Sequence, residues 1–337
     1  MKIRNQKSGN RRKSEIGSAS LQTGRNAYSD FGFRTVAFSL IEILVVVALL
    51  SVIILGLLAM FTQTQKAFRI GLTQTDVLMS GRLAGDMFGR ELEQITPAYQ
   101  PQRVKLVQTL NYNFYAQIPY DGNYDKPFLQ PLPGGTMKRM NLIQDLFFIS
   151  KRNQDWVAIG YFVRTNNSQN GNLGLSPLGV GTLYRFETNA TALSGRTVSD
   201  MFNEFSLARN NEDLVINGRK VNRAIKLAEG VVHFKVRAFE TNGAWIVTNR
   251  NFSIGANYNE YTPNQVGGEI ERYEFWSNAV PAAVELELGI LEDKAWQRFK
   301  ALPTAAAQTK YLTDQVGRLH LFRQHVTIRN VDPVAYQ

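Results

Sequence analysis

From Phe38 to Phe61 the chain is apolar at nearly every position, and Glu42 is the only charged residue among those 24. A helix of that length rises roughly 36 Å, more than the hydrocarbon core of a bilayer at about 30 Å. The run therefore predicts a membrane-spanning helix over 38–61 with some tilt. Polar residues follow at Thr62–Lys66, with no proline before Pro97. Apolar residues then recur at Val77-Leu78, Leu83, Met87-Phe88, Leu92 and Ile95, close to the 3.6-residue period. The pattern predicts that the same helix continues to about Ile95. Its outer half, 62–95, is amphipathic and laid against a globular domain, and Thr96-Pro97 ends it. Gly71, Gly81, Gly85 and Gly89 weaken that half by up to about 1 kcal/mol each, unless they permit close packing.

Residues 99–141 are rich in Tyr, Phe, Pro, Gly and Asn and predict a long irregular region with one short strand at Arg103–Val107. Strand patterns follow at Leu146–Ser150 and Trp156–Val163, paired as a hairpin across Lys151–Asp155, and again at Thr182–Thr188. Val232, Phe234, Val236 and Ala238 alternate with His233, Lys235 and Arg237, and Thr241-Asn242-Gly243 turns the chain into Ala244–Val247. Val284, Leu286, Leu288 and Ile290 alternate with polar neighbours, as in a half-buried strand. Asp293–Ala301 and Ala305–Val316 read as helices split by Pro303, and Leu319–Arg329 as a closing strand with Val326 and Ile328 inward. The expected class is α+β: a long N-terminal helix packed on a domain, 96–337, of antiparallel β-sheet with short helices. About 240 residues are ample for one well-formed core.

Charge refines this picture. The formal net charge is +10, but residues 1–37 hold eight Lys/Arg against Glu15 and Asp30, a net of +6. The remaining 30 basic and 26 acidic residues leave +4. Most of the excess precedes the apolar run, as the positive-inside rule requires of a cytoplasmic N-terminus. The basic stretch 1–37 thus needs no nucleic-acid partner to explain it, and none is expected. The apolar run is too long for a signal-peptide core of roughly 7–15 residues, and its far end lacks small residues spaced for signal peptidase. With no cysteine, disulfide and thiol chemistry are excluded.

A lone carboxylate near the start of an apolar helix is costly and marks a functional candidate. Ala37 followed by Phe38, three uncharged residues and Glu42 resembles the cleavage and methylation site of type IV prepilins and pseudopilins. The resemblance implies that a membrane prepilin peptidase cuts between Ala37 and Phe38 and methylates the new amino terminus of Phe38. It implies further that Glu42, fifth in the mature chain, pairs with the terminal amine of a neighbouring subunit during assembly. Opposite charges attract strongly in low dielectric, and an unpaired carboxylate there is expensive. Two features depart from the family: Ala37 stands where Gly is usual, and the 37-residue leader is long. A cut after Gly32 would put Ala37, not a glutamate, in fifth place and is rejected.

The order of elements also resembles the J-type minor pseudopilins of type II secretion, over 38–95 and 225–329. Arg90-Glu91-Leu92-Glu93-Gln94 is similar to their acidic-Gln helix end, Trp245 to a Trp after a turn, and Pro281-Ala282-Ala283-Val284-Glu285-Leu286 to their Pro-x-Ala-Val-x-Leu strand. Leu227–Val231 matches a strand start only with an extra residue. Gln63–Arg69 resembles the pilin-like cassette proteins of Verrucomicrobia. These likenesses imply a single-pass inner-membrane protein with a periplasmic domain. Its implied partners are the peptidase, other pilins or pseudopilins, the assembly platform and the lipid bilayer. A minor type IV pilin for adhesion or DNA uptake, and an anchored periplasmic module that is never assembled, are the alternatives.

Little else carries chemistry. Of three histidines, His320 and His325 sit five apart, on opposite faces of a strand, and His233 reads as solvated. Asp121–Asp125 resembles the start of a calcium loop but fails at Lys126 and Leu132. No nucleophile, base and oxyanion donor stand together, so no enzyme activity, cofactor or metal is expected.

Overall fold

An apolar strand face must be covered, and the sequence Asp145-Leu-Phe-Phe-Ile-Ser150 is apolar on both faces. That pattern demands a layer on either side of the sheet. The computed structural model describes residues 39–100, 111–119, 128–131, 138–167, 172–174, 179–191, 195–210, 214–216, 219–221, 223–246, 256–261 and 269–336. The leader, the strand expected at Arg103–Val107, the calcium-like stretch Asp121–Asp125 and Val247 lie outside them.

In chain order the elements are α1 (Leu40–Leu92), β1 (Phe114–Gln117), β2 (Phe128–Pro131), β3 (Lys138–Asn141), β4 (Asp145–Arg152), β5 (Asp155–Asn167), β6 (Asn172–Gly174) and β7 (Gly181–Ala190). Then come α2 (Val198–Ala208), β8 (Leu214–Ile216), β9 (Arg219–Val221), β10 (Ala224–Phe239), β11 (Ala256–Tyr261) and β12 (Glu269–Phe275). The chain closes with β13 (Ala283–Leu291), α3 (Asp293–Lys300), α4 (Ala305–Asp314) and β14 (Leu319–Thr327). The chain divides into two compact units, 1–62 and 63–337, and α1 contributes to both.

The second unit is built on a ten-stranded antiparallel sheet in the order β11-β12-β1-β4-β5-β7-β10-β13-β14, with β6 beside β5. Alternation sends Phe148, Tyr161, Phe234, Val284, Leu286 and Leu288 to the layer that α1 covers with Val77, Ala84, Phe88 and Leu92. Their neighbours Phe147, Phe162, Tyr184 and Phe186 pack under Val198, Met201, Phe202 and Phe205 of α2. A smaller cluster seats Trp296 and Phe299 of α3 and Leu312 of α4 against Val180, Val232 and Leu291. The architecture is α+β, as expected: a long N-terminal apolar helix and a curled antiparallel sheet.

Several expectations are corrected. Residues 99–141 are not irregular throughout: β1 is a buried central strand between β4 and β12, and β2 pairs with β3. The helix ends at Leu92, and Ile95 already forms a β-bridge with Ser150. Trp245 makes an isolated bridge to Phe239 rather than opening a strand. The helix expected over Ala305–Val316 stops at Asp314. Unforeseen altogether is α2, although Thr197 and Asp200 form a capping box, each side chain bonding the other's backbone N–H.

Candidate functional site

In the first unit, α1 presents bare apolar side chains. Leu40 through Phe61 are exposed all round, and the most apolar stretch has a mean hydropathy of 3.2 with none of it buried. Such a surface requires lipid or other apolar helices around it, and by length and composition the helix can cross a membrane. Ser39 caps it: its carbonyl accepts from the amides of Glu42 (3.0 Å) and Ile43 (3.3 Å). Glu42 Oε2 reaches back to accept from the Ser39 amide at 3.0 Å. The carboxylate therefore sits in the first turn, where the helix dipole favours a negative charge. Ala37 and Phe38, the expected cleavage and methylation positions, lie outside the described residues.

In the second unit the same helix has two opposed faces. Inward, Val77, Ala84, Phe88 and Leu92 are buried. The Phe88 ring stands edge-on to Tyr161 at 4.5 Å. Two of the glycines prove to be seats, since a Cβ on Gly81 would fall 2.1 Å from the Phe322 ring and one on Gly89 2.4 Å from Gln324 Nε2, whereas Gly71 faces open space. The acidic helix end is an anchor. Glu91 accepts from Arg185 Nη2 at 2.6 Å and from the Tyr161 hydroxyl, while Glu93 pairs with Arg329 at 2.7 Å.

Outward, Phe68 (67 % exposed), Leu72 (50 %), Met79 (71 %) and Leu83 (70 %) stand at intervals of four, seven and four residues. That spacing aligns them as one apolar stripe opposite the buried face. Leu83, expected to lie against the domain, instead belongs to this stripe. The physical reason is that the apolar positions of this helix serve two faces, so their common period does not say which of them turn inward.

A charge lattice covers the sheet over β10, β13 and β14. Arg237 Nη1 bridges Glu285 (2.8 Å) and Glu287 (3.2 Å), and Arg323 Nη2 meets Glu285 at 2.6 Å. His233 is buried rather than solvated. Its Nδ1 accepts from the Leu142 amide at 3.0 Å, so the neutral ring carries its proton on Nε2 and donates to Glu287 at 3.3 Å. Its strand position reads as outward-facing, but the chain crosses over it at Leu142. His320 and His325 fall on opposite faces of the unbroken β13–β14 ladder, as expected. Among the described residues no three metal-ligating side chains converge.

This lattice makes stability pH-dependent. The hydrogen bond from His233, aided by Arg237 and Lys235, holds the Glu287 carboxyl down at about 2 despite burial. The unfolded chain takes up that proton near 4.5 and so binds more protons between 4.5 and 2. The contribution of Glu287 is complete above that window and is lost as pH falls through it. Burial likewise holds His233 below its ordinary 6.5, against the pull of Glu287, so stability also declines as pH drops below 6.5. Urea unfolding of a Glu287→Gln variant at pH 7, 5 and 3 should show a shallower loss below pH 4.5 than the parent. An unchanged slope would remove Glu287 from this account.

Comparison with protein-family models, curated proteins and solved structures gives no match for this chain.

Proposed function

We propose that this chain is a prepilin-like structural subunit, cleaved between Ala37 and Phe38 and N-methylated at Phe38. It assembles into, or primes, a type II secretion pseudopilus or a related type IV-like filament. The observation that carries the reading is the Ala37-Phe38-Ser-Leu-Ile-Glu42 pattern at the mouth of a helix whose apolar exterior is wholly uncovered. In this reading the helix is stored in the inner membrane with the leader in the cytoplasm and the sheet domain in the periplasm. On assembly Glu42 exchanges its cap on Ser39 for the terminal amine of a neighbour, and the bilayer is replaced by other subunits' helices. The stripe Phe68–Leu72–Met79–Leu83 supports it, since a helix that stops packing at the membrane surface has no use for large exposed apolar side chains beyond it. Prepilin peptidase, companion pilins or pseudopilins and the assembly platform are the partners. The work is positional, with no turnover.

Mass spectrometry of the N-terminus, on protein from its native membrane, tests the processing step. N-methyl-Phe38 is the expected species; an intact leader despite an active peptidase would leave only a membrane-anchored domain. Assembly is tested separately. Glu42→Ala should abolish incorporation into filaments, and a Met79→Ser/Leu83→Ser double variant should reduce it at least several-fold. Both should leave the unfolding free energy within about 0.5 kcal/mol, as surface substitutions do. Full incorporation of both variants would sink the assembly reading.

A further inference from the structure

The ten-stranded sheet ends at β14, and among the described residues the side of that strand turned away from β13 is open. Backbone bonds from the Glu292 amide to the Arg318 carbonyl (3.1 Å) and from the Ile328 amide to the Ala282 carbonyl (2.9 Å) bracket the β13–β14 pairing. Between them the register runs from Ala283↔Thr327 to Leu291↔Leu319 without a shift. Antiparallel pairs alternate between bonded and non-bonded, so the even-numbered residues of β14 bond to β13. The N–H and C=O groups of Leu321, Arg323 and His325 therefore point away from it. Among the described residues no strand pairs with that side. Proteins blunt such an edge with a short strand, a proline, a bulge or charged side chains. β14 is 9 residues long, has no proline or bulge, and carries one charged side chain, Arg323.

A groove of about 360 Å³ runs beside this edge, between β14 and the outer half of α1. Leu286, Leu288 and Phe322 line its apolar side; Arg82 and Asp86 line the helix side, and the Gln324 side chain lies over Gly85. On the opposite face of the strand Arg323 is 58 % exposed. Its guanidinium has five donors and meets Glu285 through Nη2 and Glu287 through Nε (3.6 Å). From Gln315 to Val331 the chain carries Arg318, Arg323, Arg329, His320 and His325 and no acidic residue. A second copy of β14 paired antiparallel about its centre would set the two Arg323 side chains opposite one another, which destabilises a strand pair.

We propose that the β14 edge receives an extended acidic segment of another protein as an added strand. Its alternate residues are apolar, facing the groove beside Phe322, and acidic, facing Arg323 and His325. Main-chain bonds to Leu321, Arg323 and His325 supply the affinity, and the two side-chain rows supply the choice of partner.

The test uses the full-length chain in detergent micelles and a labelled, end-capped peptide of alternating valine and glutamate, matched to the 9 residues of β14. Binding is read by fluorescence anisotropy and by hydrogen exchange of segment 319–327. Saturable binding with slowed exchange in that segment is expected, and a valine–lysine peptide should bind at least about tenfold more weakly. N-methylating one alternate set of peptide amides should abolish binding while methylating the other set spares it, the signature of a strand bonded along one edge. Leu321→Pro removes an N–H that the ladder does not use and should likewise lose the peptide. Absence of binding, equal binding of both methylated peptides, or protection elsewhere would overturn the proposal and leave the arginines as plain edge protection.

Discussion

Replacing Asp145 with alanine is expected to cost about 3–5 kcal/mol of stability, the loss found when one partner of a buried ion pair is removed. The carboxylate is fully buried at the start of β4. Oδ1 and Oδ2 take a two-pronged contact from Arg164 at 2.8 and 2.6 Å, and Oδ2 accepts a third bond from Arg209 Nη1 at 2.9 Å. Arg164 leaves β5 and Arg209 caps the C-terminus of α2, so one carboxylate ties the helix to two adjacent strands. Each guanidinium also lies over an aromatic ring, Arg164 on Phe162 and Arg209 on Phe205. Without Asp145 two buried cations lose the carboxylate that neutralises them both among the described residues. Asp145→Asn keeps the shape and loses the charge, so it should fall between parent and alanine. Urea unfolding followed by tryptophan fluorescence measures the series. A loss below about 1 kcal/mol would mean that water reaches the pair, since that is the scale of solvated ion pairs.

No sequence pattern announced that triad, because its members are 19 and 64 residues apart and only the strand order brings them together. What was legible follows a rule. β10 and β13 declare themselves because one face is apolar and the other carries Lys235, Arg237, Glu285 and Glu287. β4 and β5 do so through their hairpin, where Asn153 accepts a positive φ of 58°. β1 stayed hidden because its surroundings are polar and aromatic, and those polar groups are satisfied from far away. Asn113 Nδ2 donates to the carbonyls of Ser277 and Ala279, each at 2.9 Å, and its Oδ1 accepts from the Ala98 amide at 3.0 Å. A buried asparagine with all its partners in tertiary contacts looks in sequence like a loop asparagine. His233 misled in the same way, since a residue on the polar row of a strand is solvated only if nothing crosses over it. Glu42 was visible because its context is local: one charge in an apolar run needs no fold to be noticed.

Phe88→Ala should lower stability by about 3–5 kcal/mol, the range for deleting a buried phenylalanine, whereas Leu83→Ala on the same helix should stay within about 0.5 kcal/mol. The contrast follows from the two faces of α1. Phe88 is 1 % exposed and bridges Tyr161 of β5 and Phe234 of β10, with ring centroids at 4.5 and 5.8 Å. Removing it leaves a cavity beneath the middle of the sheet. It also frees Tyr161, whose hydroxyl helps fix Glu91, so the lost packing and the loosened anchor fall at one place. Helix and sheet should then separate more readily, and hydrogen exchange along Val77–Leu92 should accelerate together with global unfolding. Leu83 touches none of this and is 70 % exposed. If the outward stripe serves assembly, Leu83 variants are well folded and fail in filaments, and Phe88 variants fail in both. Should Leu83→Ala instead cost as much stability as Phe88→Ala, the stripe would be part of the domain's own core and would not await a neighbouring helix.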